Sequence, residues 1–274
     1  MISLIYRFES TKGGILPFSS GYAAYGLAAG ATRGLAEDFL GHSPSSVPSY
    51  TFSSLFPLKK TEPGQKETGR KGYPVHPGDL LGLRVTFLED HNGIRLHEAL
   101  SARLAEPFPF LGAELKYTGC LLPGEHPLSR RTTPGEILAL PERKTLTIAF
   151  LSPTSFRVGD SNMPLPHPQL VFSSLLRKWE AWDLPNLGVE AGTFSGVLLG
   201  RFTLESKAFK GIKGALHFGF VGKAQFDGSS LAAPATLKAF TSLSAVSFYS
   251  GIGIKTTQGM GQAVPTFDPD PAPS

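Results

Sequence analysis

Twice along this 274-residue chain the apolar pattern runs strand, helix, strand, strand, helix, strand, and this repeat constrains the fold more than any single motif. In the first pass, residues 3–9 alternate, with Leu4, Tyr6 and Phe8 on one side, and residues 21–40 carry Ala, Leu and Gly at helical spacing. Residues 50–55 and 80–88 read as strands, residues 91–104 as a helix with Ile94, Leu96, Leu100 and Leu104 in phase, and residues 111–122 as a strand. In the second pass, residues 146–150 are a strand, and Pro168 opens a helix that runs to Trp182, with Pro185 just beyond it. Strands over 193–204 and 215–226, a helix over 233–248 and a last strand over 262–267 complete it. Two successive βαββαβ units predict an α+β fold of tandem ferredoxin-like (RRM-like) domains, each packing two helices on one face of an antiparallel sheet.

The expected divisions are an N-terminal domain over 1–131, a linker over 132–144 marked by Pro134, Gly135 and Pro141, a C-terminal domain over 145–267 carrying a glycine-rich loop, and a disordered tail over 268–274. The polar, Lys- and Arg-bearing run over 59–79 reads as a loop or insertion between strands.

Composition narrows the function classes. A hydrophobic fraction of 41% supplies a core, and a net charge of +4 tolerates a polyanionic partner without demanding one. With Cys120 as its single cysteine, the chain forms no internal disulfide and no Cys-rich metal site, which points to a reducing compartment, the cytoplasm. The opening MISLIYRFES reads as a strand rather than a signal peptide, and no segment has the ~18 apolar residues of a membrane span. His76, His91, His97, His126, His167 and His217 lack the spacing of a helical metal site, so no metal and no cofactor are expected. Neither paired carboxylates nor a GxSxG serine stands out.

The stretch GIGIKTTQGMG places Gly251, Gly253, Gly259 and Gly261 around Lys255, Thr256, Thr257 and Gln258. Glycines let backbone N–H groups approach an anion, and the polar centre adds donors. The competing reading is a tight turn in which Gly251 ends the preceding helix. Upstream, Lys210, Lys213 and Lys223 flank a second glycine-containing segment with His217; they fit a phosphate-contacting patch or an exposed strand face, the commoner fate of lysine. Trp179 and Trp182 suit base stacking or, at their i, i+3 spacing, the core.

Four segments together, LAEDFLGHSPSSVPSYTFSSLF, LSPTSFRVGDSNMPLPHPQLVFSSLLRKWEAW, KGIKGALHFGFVGKAQF and GIGIKTTQGMG, resemble the CRISPR-associated RAMP endoribonucleases that process precursor CRISPR RNA. The resemblance implies metal-independent cleavage within repeats, the ribose 2′-OH attacking the adjacent phosphodiester to leave 2′,3′-cyclic phosphate and 5′-OH ends. It implies His42 as general acid or base, Tyr25 (alternate Tyr22) as its helper, and a lysine whose usual place is here taken by Val47, Pro48 and Ser49, so that Lys59 or Lys60 stands in. The glycine motif, with Lys210, Lys213 and Lys223, is then an RNA-binding surface. CRISPR repeat RNA is the implied partner, with a homodimer or a CRISPR effector complex as the setting. His42 also suits a helix C-cap, and Tyr22 and Tyr25 suit core packing. The alternative function is a catalytically inactive RAMP-type RNA-binding protein or subunit.

Overall fold

The computed structural model describes residues 1–34, 39–40, 47–58, 72–211, 214–231 and 233–267. The chain divides into two compact units. The first comprises Met1–Arg131 with two short later pieces, one of them Thr257–Gly259; the second takes up at Thr132 and includes Gly214–Thr256 and the chain from Met260.

The first unit runs β1 (Ile2–Lys12), β2 (Gly14–Leu16), α1 (Gly21–Thr32), β3 (Tyr50–Phe52), β4 (Phe56–Pro57), β5 (Tyr73–Val75), β6 (Leu80–Phe87), α2 (Asp90–Arg103), β7 (Phe108–Phe110), β8 (Ala113–Leu121) and β9 (Arg130–Arg131). Its main sheet has the order β3-β6-β1-β8-β7, with β4 on β6 and β9 on β1. Leu4, Tyr6 and Phe8 of β1 are buried on one face as expected and lie opposite Val85, Leu83 and Leu81, while Ser3 and Ile5 are buried as well. Leu96 and Leu100 of α2 and Ala24 and Ala28 of α1 complete this core. Gly93 lets α2 come down onto β1, since a Cβ there would stand 2.8 Å from Leu4 Cδ1, and Tyr6 donates its hydroxyl proton to the Gly93 carbonyl at 2.8 Å. The helix expected over 21–40 ends at Thr32. Arg103 closes it by donating to the Gly30 and Arg33 carbonyls at 2.9 and 2.8 Å, and Gly34 follows in the left-handed region.

The second unit runs α3 (Pro134–Ala139), β10 (Thr145–Thr154), β11 (Phe156–Val158), β12 (Ser161–Met163), α4 (Pro168–Ala181), β13 (Leu198–Lys210), β14 (Leu216–Asp227), α5 (Pro234–Ser250) and β15 (Ala263–Thr266). Its sheet order is β13-β14-β10-β15, wholly antiparallel. Numbered within the repeat, both units place their strands 2-3-1-4, the ferredoxin-like arrangement the element order implied. Phe172 of α4 centres the core, its ring 5.3 Å from Phe194, 5.6 Å from Phe226 and 4.8 Å from Phe240.

Two expectations change here. The stretch read as linker holds α3, nucleated by a capping box in which Glu136 N–H donates to Thr133 Oγ1 and Thr133 N–H to Glu136 Oε2. The strand expected from 193 begins only at Leu198, because Ala191–Gly196 coil into a 3-10 turn that buries Phe194. Among the described residues no helix is long and apolar enough to cross a membrane.

Candidate functional site

In the second unit the glycine motif follows directly from α5, a helix buried all round from Ala239 to Ser250. Its glycines are placed by packing. A Cβ on Gly253 (φ +77°) would stand 2.3 Å from Ser155 O, and one on Gly261 (φ +70°) 2.1 Å from Ile252 O. The backbone donors nearby are used internally: Ile252 N–H donates to Gly261 O (2.8 Å), Gly253 N–H to Ser174 Oγ (3.1 Å), Ile254 N–H to Ser155 O (3.0 Å) and Gly261 N–H to Pro153 O (3.0 Å). The motif is thereby clamped onto the end of β10. Gly251, at φ +62°, ends α5 with its N–H on Ser247 O, so the turn reading holds for that residue.

Lys255 stands out on this scaffold. It is half-buried, and its φ of +54° puts a long side chain in the left-handed region, which costs a non-glycine residue about 1–2 kcal/mol. Its carbonyl accepts from Met260 N–H at 3.3 Å. Thr256 and Thr257 are buried, and Gln258 has a buried Oε1 with no hydrogen-bond partner among the described residues. In the first unit, Gly259 backs against Gly21: a Cβ on Gly21 would meet Gly259 Cα at 2.4 Å.

Two further residues belong to this region: Lys178, which the sequence does not single out, and His217, which the sequence places in the second glycine-containing segment without a role of its own. Lys178 of α4 is buried, and its Nζ donates to the carbonyls of Ser250 and Gly251, both at 2.9 Å. Burial, reinforced by the neighbouring Arg177, pushes its ammonium down to about 7. The signal was available, since Val171, Leu175, Lys178 and Trp182 share one helical stripe. His217 of β14 is held below its ordinary range by burial and by the charge of Lys255.

Of the other candidates, Lys210 and Lys223 are exposed on β13 and β14. Trp179 and Trp182 are buried, and the Trp179 indole N–H donates to Pro185 O at 2.8 Å, so both are core residues. Tyr25 and Tyr22 are half-buried; Tyr25 stacks on Tyr50 with centroids 6.1 Å apart. The hydroxyls of Tyr25 and Tyr50 both donate to the Leu40 carbonyl, at 3.0 and 2.8 Å. His42, Lys59, Lys60, Lys213 and the tail 268–274 lie outside the described residues.

Residues 148–263 match the family described as CRISPR-associated endoribonuclease Cas6. Two curated Cas6 endoribonucleases of Mycobacterium tuberculosis, from strains CDC 1551 / Oshkosh and H37Rv, are each 33% identical over 126 residues, 45% of this chain. The match spans 39% of the length of those relatives. Among solved structures, a Cas6 product complex superposes with a TM-score of 0.77 at 26% identity, covering 97% of this chain and 99% of that one. Thermus thermophilus Cas6 gives 0.69 at 25% identity over 97% and 98%. A Cas6-related protein from Pyrococcus furiosus, at 15% identity and a TM-score of 0.65 over 97% and 98%, shares the fold. Over residues 148–263 the chain is similar in sequence to the CRISPR-associated Cas6 endoribonucleases, and over nearly its whole length its fold is similar to that of solved Cas6 structures.

Proposed function

We propose that this protein is a CRISPR RNA-processing endoribonuclease that cuts precursor RNA within its repeats. The observation that carries the reading is Lys255: within the segment matched to the Cas6 family, a lysine is held in an unfavourable backbone conformation on a rigid, glycine-dependent scaffold. Strain of this kind collects at ligand-contacting positions. A cation there binds the RNA backbone without reading sequence, and the exposed Lys210 and Lys223 extend the basic surface. The sequence resemblance also assigns Lys213, Thr256, Thr257 and Gln258 to RNA binding.

The chemistry assigned is attack of a ribose 2′-OH on the adjacent phosphorus with departure of the 5′ oxygen. An imidazole suits it, because it takes or gives a proton near neutral pH without a metal. His42 is given that part on the strength of the sequence resemblance. Tyr25 acts by position: with Tyr50 it pins the carbonyl of Leu40, two residues before His42 in the sequence. A cation from Lys59 or Lys60 would offset charge on the phosphorane.

Labelled repeat RNA incubated with the protein in EDTA should yield a 2′,3′-cyclic phosphate and a 5′-OH, and a 2′-deoxy substitution at the cleaved nucleotide should block the cut. His42→Ala should lower the rate by about 10²–10⁴ while RNA is still bound. Tight binding of unmodified repeat RNA without cleavage would overturn the assignment and leave an RNA-binding protein.

A further inference from the structure

His217 and Lys255 are far apart in sequence, yet both abut one short stretch of the second unit. Gly219, two residues beyond His217, lies so close to the end of β10 that a Cβ would meet Thr154 N at 2.7 Å and Thr154 O at 2.8 Å. On the other side of the same stretch, Ile254, immediately before Lys255, donates to Ser155 O at 3.0 Å, and Gly253 crowds that carbonyl. Residues 153–155 therefore abut β14 through Gly219 and the glycine motif through Gly253 and Ile254, and from there the charge of Lys255 acts on the His217 imidazole.

The surroundings of His217 contain little to neutralise it. Its register partner Phe209 is buried. On the same face of the hairpin, Lys207 lies opposite Gly219 and is ion-paired with Glu205 at 3.7 Å, and Lys223 lies further along, opposite Thr203. Residues 153–155 bring no charge, and Lys255 enters from the glycine motif. Among the described residues, then, one carboxylate on this face stands against three lysines. A neighbouring cation without a matching anion favours deprotonation of the weaker base, and an arriving anion reverses that preference.

We propose that His217 and Lys255 form a paired site for one backbone phosphate of the bound RNA, the imidazole taking up a proton as the phosphate arrives. The inference rests on the proposed RNA-processing function and adds to it a residue, a ligand group and a proton linkage. The sign follows from the two states. In the free protein the imidazole is held below its ordinary range, and a phosphate at its side raises it. Between those two values RNA binding consumes a proton, so affinity falls as pH rises through the bound-state value and levels off below the free-state value. The span is about tenfold in affinity for each pH unit by which the phosphate raises the imidazole.

The test uses the full chain and a repeat RNA made uncleavable by 2′-deoxy substitution. Calorimetric titration in two buffers of different ionisation enthalpy should count net proton uptake near pH 7, and His217→Gln should remove up to one proton from that count and flatten the affinity profile. Lys255→Gln relieves the repulsion, so the His217 imidazole, followed by NMR in the free protein, should titrate at higher pH. Thermal unfolding establishes that both variants are folded. An unchanged proton count in His217→Gln, or an unmoved His217 titration in Lys255→Gln, overturns the pairing while leaving the RNA-processing reading intact. Failure of the wild-type protein to bind repeat RNA overturns that reading and the pairing with it.

Discussion

At the scale of single residues, Lys178 makes the sharpest prediction. Its ordinary value is 10.5 and burial brings it to about 7, so between those limits the unfolded chain binds more protons than the native one. Stability of the second unit should therefore rise as pH climbs from about 7 towards 10, as urea unfolding at several pH values can show. A neutral amine still offers an N–H to each of the Ser250 and Gly251 carbonyls, so the contact survives deprotonation. Lys178→Met should abolish that pH dependence and cost about 1–3 kcal/mol by removing the ammonium donor from the Ser250 carbonyl, while the Ser250 hydroxyl still donates to the Gly251 carbonyl. The glycine motif separates packing from binding in the same way. Gly253→Ala, blocked by both φ and the Ser155 carbonyl, should lower the melting temperature, whereas Lys255→Gln should leave it near wild type and reduce both RNA affinity and its salt slope. The sequence showed that bare backbone was required there. It did not show that the backbone is needed chiefly against Ser155 and Ile252, because close approach between distant segments leaves no local signature.

Among the elements, α3 shows how turn residues conceal a helix. Through its Pro and Gly, Thr133-Pro134-Gly135-Glu136 reads as linker, although a Thr with Glu three positions on, and Pro in the first turn, is itself a helix-start pattern. The helix lasts because Ile137 is buried and Lys238 donates to the Leu140 carbonyl at 2.7 Å. Thr133→Ala removes the cap and should cost about 1 kcal/mol, measurable as a lower urea midpoint for the second unit. The βαββαβ strands and helices were legible because alternation and helical spacing are local properties. The 3-10 turn at Ala191–Gly196 was not, since the burial of Phe194 against Phe172 is what selects it over a strand. The relation of His217 to Lys255 is illegible in the sequence for the same reason: it is created by the path of β10.

For the whole molecule, two natural probes report on different units. Trp179 and Trp182 lie in the second, and Cys120, the only cysteine, in the first. Phe172→Ala empties the centre of an aromatic cluster and should move the tryptophan fluorescence transition by about 3–5 kcal/mol. Cys120 is half-buried with its thiol pushed up by burial, so alkylation near pH 7 should be slow in the native protein and accelerate when the first unit opens. The two compact units are not two contiguous lengths of chain. Thr257–Gly259, encoded near the far end, group with Met1–Arg131, where Gly259 fills the space that Gly21 leaves. A recombination event that exchanged everything before Thr132 would therefore transplant an incomplete first unit, and its acceptor would have to supply a matching glycine more than a hundred residues downstream.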